Sequence, residues 1–388
     1  MTPPLSGLRV LELAWQVAGP VCGRLLQMAG AQVSKVERPP QGDPARAREW
    51  LFTHLNAGKR SITLDFGRPE GAALLAELIA RHDLLLESFS PGALARAGFD
   101  QERLSQLNPR LVVVSVSNFG QWGPYRDYRA ADIVEYALGG HLYIQGEPDQ
   151  PPLRHWGEQA QYQAGAVAAV GAAAALLHQR RTGQGQQVEV SIMEVVVSLL
   201  ESTVELYTHQ GQVRRRTGNR YPWTYPVTLL PCADGWVVVN AGSERSWQSF
   251  CTMMGRQDLL EDPRYATPAQ RVERADEIDA LLQPWLSQRT RQQVMAEAQT
   301  WRLPFGPVYA PADVLADSQL QARGYFLTAT SPQGGRARVP GATVRLSRTP
   351  FQPGQEAPRL GQHNQEVYGE ELGLPRQQLA DLQQRGVI

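Results

Sequence analysis

GLRVLELAWQVAGPVCGRLLQMAGAQVSKVER, residues 7–38, decides the fold of this chain. Gly7–Leu13 reads as a short apolar strand, Gln16–Pro20 as a turn, Val21–Ala29 as a helix closed by Gly30, and Gln32–Val36 as a second strand. Strand, helix and strand with short connections make a βαβ unit, which implies parallel strands and right-handed crossovers. The first turn reads AWQVAGP rather than GxGxxG, so the layout is Rossmann-like without the dinucleotide fingerprint.

The same alternation continues downstream. Strands are expected at Ser61–Leu64, Asp83–Leu86 and Leu111–Ser117, with helices at Glu70–His82, Ala93–Ala97 and Gln101–Leu107. A doubly wound sheet follows. Pro39–Asn56 reads as a long polar connection, and such loops are rarely kept without a use. Asp132–Leu142 reads as a helix, as does Ile192–His209.

Leu153–Glu194 holds a helix of small residues, Ala164–Leu177, suited to close packing on all sides. Its polar leading edge, Glu158–Gln163, is expected to face a site. Arg180 and Arg181 fall in the last turn and Gly183 just beyond it, the usual C-terminal pattern. Basic, irregular sequence at 211–223 (GQVRRRTGNRYPW) marks a domain border. The expected division is a large domain over 1–210, a smaller α+β domain over 220–325, and a closing segment over 326–388 with a strand near Ala342–Leu346 and a final helix at Arg376–Arg385.

The 388 residues suffice for two domains with real cores. Lys plus Arg equals Asp plus Glu, 38 each, so net charge recruits neither nucleic acid nor membrane. Three scattered cysteines suit a reducing compartment. No leader is recognised at the N-terminus, and a cytoplasmic protein is expected. The zinc, P-loop and nucleophile-elbow spacings are missing.

Candidate site residues come from the strand ends. Arg38 follows the second strand, and Lys59 and Arg60 precede the next, so the three are candidates for a phosphorylated ligand. Charge alone fits a solvated surface better. The loop Ser117–Tyr125 offers aromatics for stacking on a flat ligand. His141 is a candidate acid or base, although a lone histidine is more often structural.

Several separated stretches resemble the class III CoA-transferase family, the CaiB/BaiF type. They include Ala18-Gly19-Pro20, Lys35–Pro39, NAGKRSITL at 56–64, Phe89–Gly98, Phe119–Tyr125, Gly146-Glu147-Pro148, Arg181–Gln186 and Pro358–His363. The resemblance implies a Rossmann-like large domain built from both chain ends, a small inserted α+β domain, and an interlocked dimer. It implies coenzyme A or acyl-CoA as substrate, a carboxylic acid as partner, and neither metal nor further cofactor. By position, Gln16, Val17 and Ala18 would line the CoA site, Arg38 and Lys59 would hold its phosphates, and Ser88, Phe89 and Arg96 would lie nearby.

One departure is central. The family's nucleophilic aspartate stands four residues before the glycine of the small-residue helix, and here that position is Gln161. A neutral amide cannot cycle through the mixed anhydride that a carboxylate forms. Three readings stay open: Glu158 supplies a displaced carboxylate; the chain performs racemase or isomerase chemistry with an acid/base pair drawn from His141, His155, Glu158 and Glu135; or it is a non-catalytic CoA-binding subunit, in a homodimer or in a heterodimer with an aspartate-bearing paralogue.

Overall fold

The structure, a computed structural model, describes residues 2–354 and 356–388. Two compact units are present. The first comprises residues 1–141, 155–201 and 319–388, and the second comprises 142–154 and 202–318. The chain thus changes units at 141/142, 154/155, 201/202 and 318/319, where the sequence led us to expect one unbroken stretch over 1–210 and a small domain over 220–325.

The first unit is built on a six-stranded sheet of β1 (Arg9–Leu13), β2 (Gln32–Glu37), β3 (Arg60–Thr63), β4 (Leu84–Glu87), β5 (Val112–Ser117) and β6 (Gln187–Ser191). Its order is β3-β2-β1-β4-β5-β6 and every pairing is parallel. In register, Leu11 lies between Ser34 and Leu85, and Leu13 pairs with Glu87. Strand order reverses at β1, so the connections leaving β1 and β4 diverge and open a crevice at their carboxyl ends.

Helices α1 (Ala18–Met28), α3 (Pro69–Ala80) and α5 (Gln101–Leu107) are the crossovers expected from the sequence. The last segment returns to this core: Val367, Tyr368, Leu379, Leu382, Val387 and Ile388 are buried among Leu11, Leu13, Ile62 and Leu75. Both chain ends therefore make the large unit.

Four expectations change. The connection 39–56 contains a 3-10 turn (Pro44–Ala47) and helix α2 (Glu49–Asn56), whose Phe52 and Leu55 are buried. The helix expected over 192–209 is broken into Ile192–Ser198 and Thr203–Gln210, because Glu201 takes φ of 51°. The late strand is Arg336–Pro340, paired with Phe326–Thr330, rather than 342–346. Small-residue packing around the helix of the central stretch is one-sided. That helix, α8 (Gln159–Thr182), buries Ala164, Gly165, Ala168, Ala172, Ala175 and Leu176, a stripe at helical spacing. Val167, Val170 and Leu177 on its other faces are 45%, 71% and 51% exposed.

The second unit pairs Val227–Cys232 with Gly235–Asn240 in an antiparallel ladder, extended by Gly306–Pro307. Its core gathers Trp247, Phe250, Ile278, Leu282 and Leu286. Arg271 is fully buried there and donates to the carbonyls of Tyr225, Tyr265 and Gly242, each at 2.9 Å, which satisfies the guanidinium structurally.

Candidate active site

A cavity of about 670 Å³ lies in the first unit at the carboxyl ends of β1, β4 and β5. It is lined by Trp15–Ala18 after β1, Ser88–Pro91 after β4, Val116–Asn118 from β5 and Arg126–Asp132 beyond it, with Arg96, Glu158, Gln161 and Ile192. The reversal of strand order places it there.

Its walls are fixed by specific contacts. The Trp15 amide donates to Ser88 Oγ at 3.2 Å, and the Trp15 ring meets Phe89 edge-on with centroids 5.5 Å apart, joining the β1 and β4 loops. Gln16 has φ of 65°, a left-handed conformation uncommon for a residue other than glycine. It is held because its N–H donates to both Asp43 oxygens, at 3.0 and 3.2 Å. Asp43 is in turn clamped by Lys35 Nζ at 2.8 Å. Strain at a cavity wall, held by a buried ion pair, is a common mark of a functional turn.

Lys35 and Lys59 form a charge network beneath this turn. Lys35 Nζ lies 3.1 Å from Glu12 Oε1, and Lys59 Nζ lies 2.7 Å from Glu12 Oε2. Burial pulls the Lys59 ammonium down to about 8, although Glu12 opposes that shift. Burial also works against the Lys35 charge, but Glu12, Asp43 and Glu37 outweigh it and hold that ammonium above its ordinary range.

Lys59 therefore cannot grip a phosphate as expected. It is buried, and its nitrogen also bonds Pro20 O and Asn56 Oδ1. The sequence signal was Glu12, a charge inside an apolar strand that had to find cations. Arg38 is exposed just beyond β2 and outside the cavity lining. Arg96 does line it, together with Arg126 and Arg129, which the sequence reading did not single out. A Cβ placed on Gly92 would sit 3.1 Å from Arg96 Nη1 and 3.4 Å from Arg126 Nη2, so the two guanidinium groups flank one point. The visible signal was the alternation of tyrosine and arginine in Tyr125–Arg129.

The opposite wall is the start of α8, which approaches α1 through Gly165. A Cβ there would lie 2.4 Å from Ala18 O and 2.6 Å from Val21 Cβ, closer than any side chain allows. One turn earlier, Gln161 reaches the cavity. Asp132, at the start of α6 (Asp132–Leu138), accepts from the amides of Ala160 at 2.9 Å and Gln161 at 3.4 Å, capping α8 from another helix.

Gln161 Nε2 donates to Glu135, at 3.2 Å from Oε1 and 3.0 Å from Oε2. Asn118, with its amide oriented to satisfy both ends, donates to Glu135 Oε1 at 3.0 Å and accepts from Ala130 N at 3.2 Å. Glu135 is fully buried. Burial pushes its carboxyl up to about 7, and the Asp132 charge adds to that, against the Gln161 hydrogen bond. Glu158 lies at the cavity and pairs with Arg48 at 2.9 Å.

His141 lies elsewhere. It bonds Leu199 O at 3.3 Å and groups with His155 around the Tyr136 ring, outside the cavity lining. A smaller cavity of about 200 Å³, lined by Glu87, Leu104, Val113 and Gln187 among others, contains none of the expected site residues. Among the described residues no group of three or more His, Cys, Asp or Glu side chains is placed to hold a metal ion.

Comparison with known proteins gives the family. Residues 5–364 match the model of CoA-transferase family III. The chain is 39% identical to succinyl-CoA–D-citramalate CoA-transferase of Chloroflexus aurantiacus over 394 residues, covering 99% of this chain and 98% of that protein. It is 33% identical to the succinyl-CoA–L-malate CoA-transferase beta subunit of the same organism, over 100% of this chain and 98% of that one. The crystal structure of a CaiB/BaiF family protein from Brucella suis superposes with a TM-score of 0.87 at 32% identity, covering 95% of this chain and 100% of that one. The chain belongs to CoA-transferase family III.

Proposed function

We propose that this protein binds an acyl-CoA in the cavity of its first unit and transfers CoA to a carboxylic acid, with short dicarboxylic acids as the acid class. One observation carries the reading. The same cavity has the paired guanidinium groups of Arg96 and Arg126 on one wall and Asp132 and Gln161 at another, with Glu135 buried behind Gln161. Guanidinium pairs suit phosphates and carboxylates. Carboxyl and amide groups at the end of a helix suit the thioester carbonyl, whose reaction develops an oxyanion. The acid class is supported by the names of the relatives, which move CoA from succinyl-CoA to citramalate or malate.

A second chain is part of the reading. Val167, Val170 and Leu177 leave an apolar face of α8 open within one chain, and exposed apolar patches mark association surfaces. A second copy would give the interlocked homodimer, and an aspartate-bearing paralogue would give a heterodimer. The Chloroflexus relative named as a beta subunit is in keeping with the latter.

The test is a panel of dicarboxylic acids offered to purified protein with succinyl-CoA, with new CoA esters followed by mass spectrometry. The expected result is a CoA ester of an acceptor acid. Binding of CoA without any new ester would instead favour a non-catalytic subunit, and absence of binding would remove the reading altogether.

A further inference from the structure

We propose that Glu135 supplies the carboxylate that Gln161 lacks, so that the acyl group is taken up on α6 instead of on α8. The inference rests on the CoA-transfer reading above and assigns its covalent step.

The geometry favours Glu135 over its neighbours. Its two oxygens lie 3.0 and 3.2 Å from Gln161 Nε2, within the length of one side chain of position 161. Asp132 is engaged in capping the amides of Ala160 and Gln161, and Glu158 is paired with Arg48. Glu135 meets the neutral amides of Gln161 and Asn118, and among the described residues no ion pair to it is found. A buried carboxyl without a cation costs stability, and its retention at a cavity points to chemistry rather than to folding.

Gln161 separates Glu135 from the cavity. Rotation of that side chain uncovers the carboxylate and turns the amide N–H toward the thioester oxygen, where it serves as an oxyanion donor. The sequence of bonds then balances. A Glu135 oxygen attacks the thioester carbonyl, and the C–S pair leaves with CoA thiolate, giving a mixed anhydride. The thiolate attacks the glutamyl Cδ and releases the first acid as its carboxylate, leaving a glutamyl thioester. The acceptor carboxylate attacks that Cδ and expels CoA thiolate, which takes the acceptor acyl group and frees Glu135. No proton is gained or lost overall.

Trypsin separates the candidates, because cleavage after Arg129, Arg154 and Arg180 puts Glu135 on peptide 130–154 and Glu158 on peptide 155–180. The full chain is mixed with succinyl-CoA, quenched with hydroxylamine, digested and analysed by mass spectrometry. A hydroxamate at Glu135 is expected. Glu135→Gln should lose transfer by at least about 10³-fold, and Glu135→Asp, which keeps the charge but shortens its reach, covers the case in which the amide variant fails to fold. A hydroxamate at Glu158, or transfer by folded Glu135→Gln at the wild-type rate, overturns the inference while leaving the CoA-transfer reading intact. Absence of transfer by the wild type removes both.

Discussion

Gln161 Nε2 lies 3.0 Å from Glu135 Oε2, so the side chain that reaches the cavity from the start of α8 is hydrogen-bonded to a fully buried carboxyl on the neighbouring helix. Helix α8 approaches α1 through Gly165, and the Asp132 cap holds its first turn.

A pH dependence follows from Glu135. Its carboxyl, ordinarily at 4.5, is raised to about 7 in the folded chain. A carboxyl raised on folding contributes stability that is fully present below its unfolded value and is lost as pH rises through the folded value. The melting temperature of the wild type should therefore fall relative to Glu135→Gln between about pH 5 and about pH 8. Transfer needs the ionised form and should rise across about pH 7. Parallel melting curves for the two proteins at all pH values would contradict this.

Gln161→Asp returns a carboxylate to α8. Transfer should be retained or increased, and the hydroxylamine-trapped adduct should move from peptide 130–154 to peptide 155–180. An adduct that stays at Glu135 would show that residue 161 does not face the thioester.

Arg96 and Arg126 should hold the anionic part of the ligand. Replacing either with alanine removes charge-assisted hydrogen bonds worth about 1.5–3 kcal/mol, which is roughly a 10- to 100-fold loss in affinity. Calorimetric titration of CoA into each variant reads this directly. Lys59→Ala should act on folding, because Lys59 is buried against Glu12. Its melting temperature should drop, since the Glu12 charge loses one of its two lysines.

Gly165→Val should displace α8 from α1. The added side chain meets Ala18 O and Val21, and overpacking of this kind costs about 1–3 kcal/mol. Thermal melting should show the loss, together with weaker CoA binding as the start of α8 moves.

Val170→Glu, placed in the open face of α8, should reduce association without loss of fold. Light scattering should show a smaller species than the wild type while circular dichroism stays unchanged. An unchanged mass would move the interface elsewhere.

Most of the first unit could be read directly from residue pattern. Strands β1, β4 and β5 are short, mainly apolar runs bounded by turn residues, and their spacing with the helices between them implies parallel pairing. Helix α2 was hidden because it spans only eight residues, EWLFTHLN, and its burial of Phe52 and Leu55 depends on distant contacts. The break at Glu201 is a single backbone conformation in a valine- and leucine-rich stretch, which hydrophobic period does not register.

Gln16, Val17, Ala18, Ser88, Phe89, Arg96, Glu158 and Gln161, named through the family resemblance rather than through residue pattern, line one cavity. Lys59 and Arg38 were named with them but do not share that environment, since only the fold places Lys59 beside Glu12 and leaves Arg38 outside the lining. Glu135 stood among the acid/base candidates. Its contact with Gln161 depends on how α6 packs on α8, and local sequence does not specify that.

CoA transfer at this cavity is read out by identity exchange: isotopically labelled succinate is mixed with unlabelled succinyl-CoA and the protein, and label in the thioester is measured over time. No acceptor need be known. Label should enter succinyl-CoA with the wild type and fail to enter with the Arg96→Ala, Arg126→Ala double variant at low substrate. Failure of the wild type to move any label, at substrate concentrations where calorimetry shows CoA bound, would contradict transfer at this cavity.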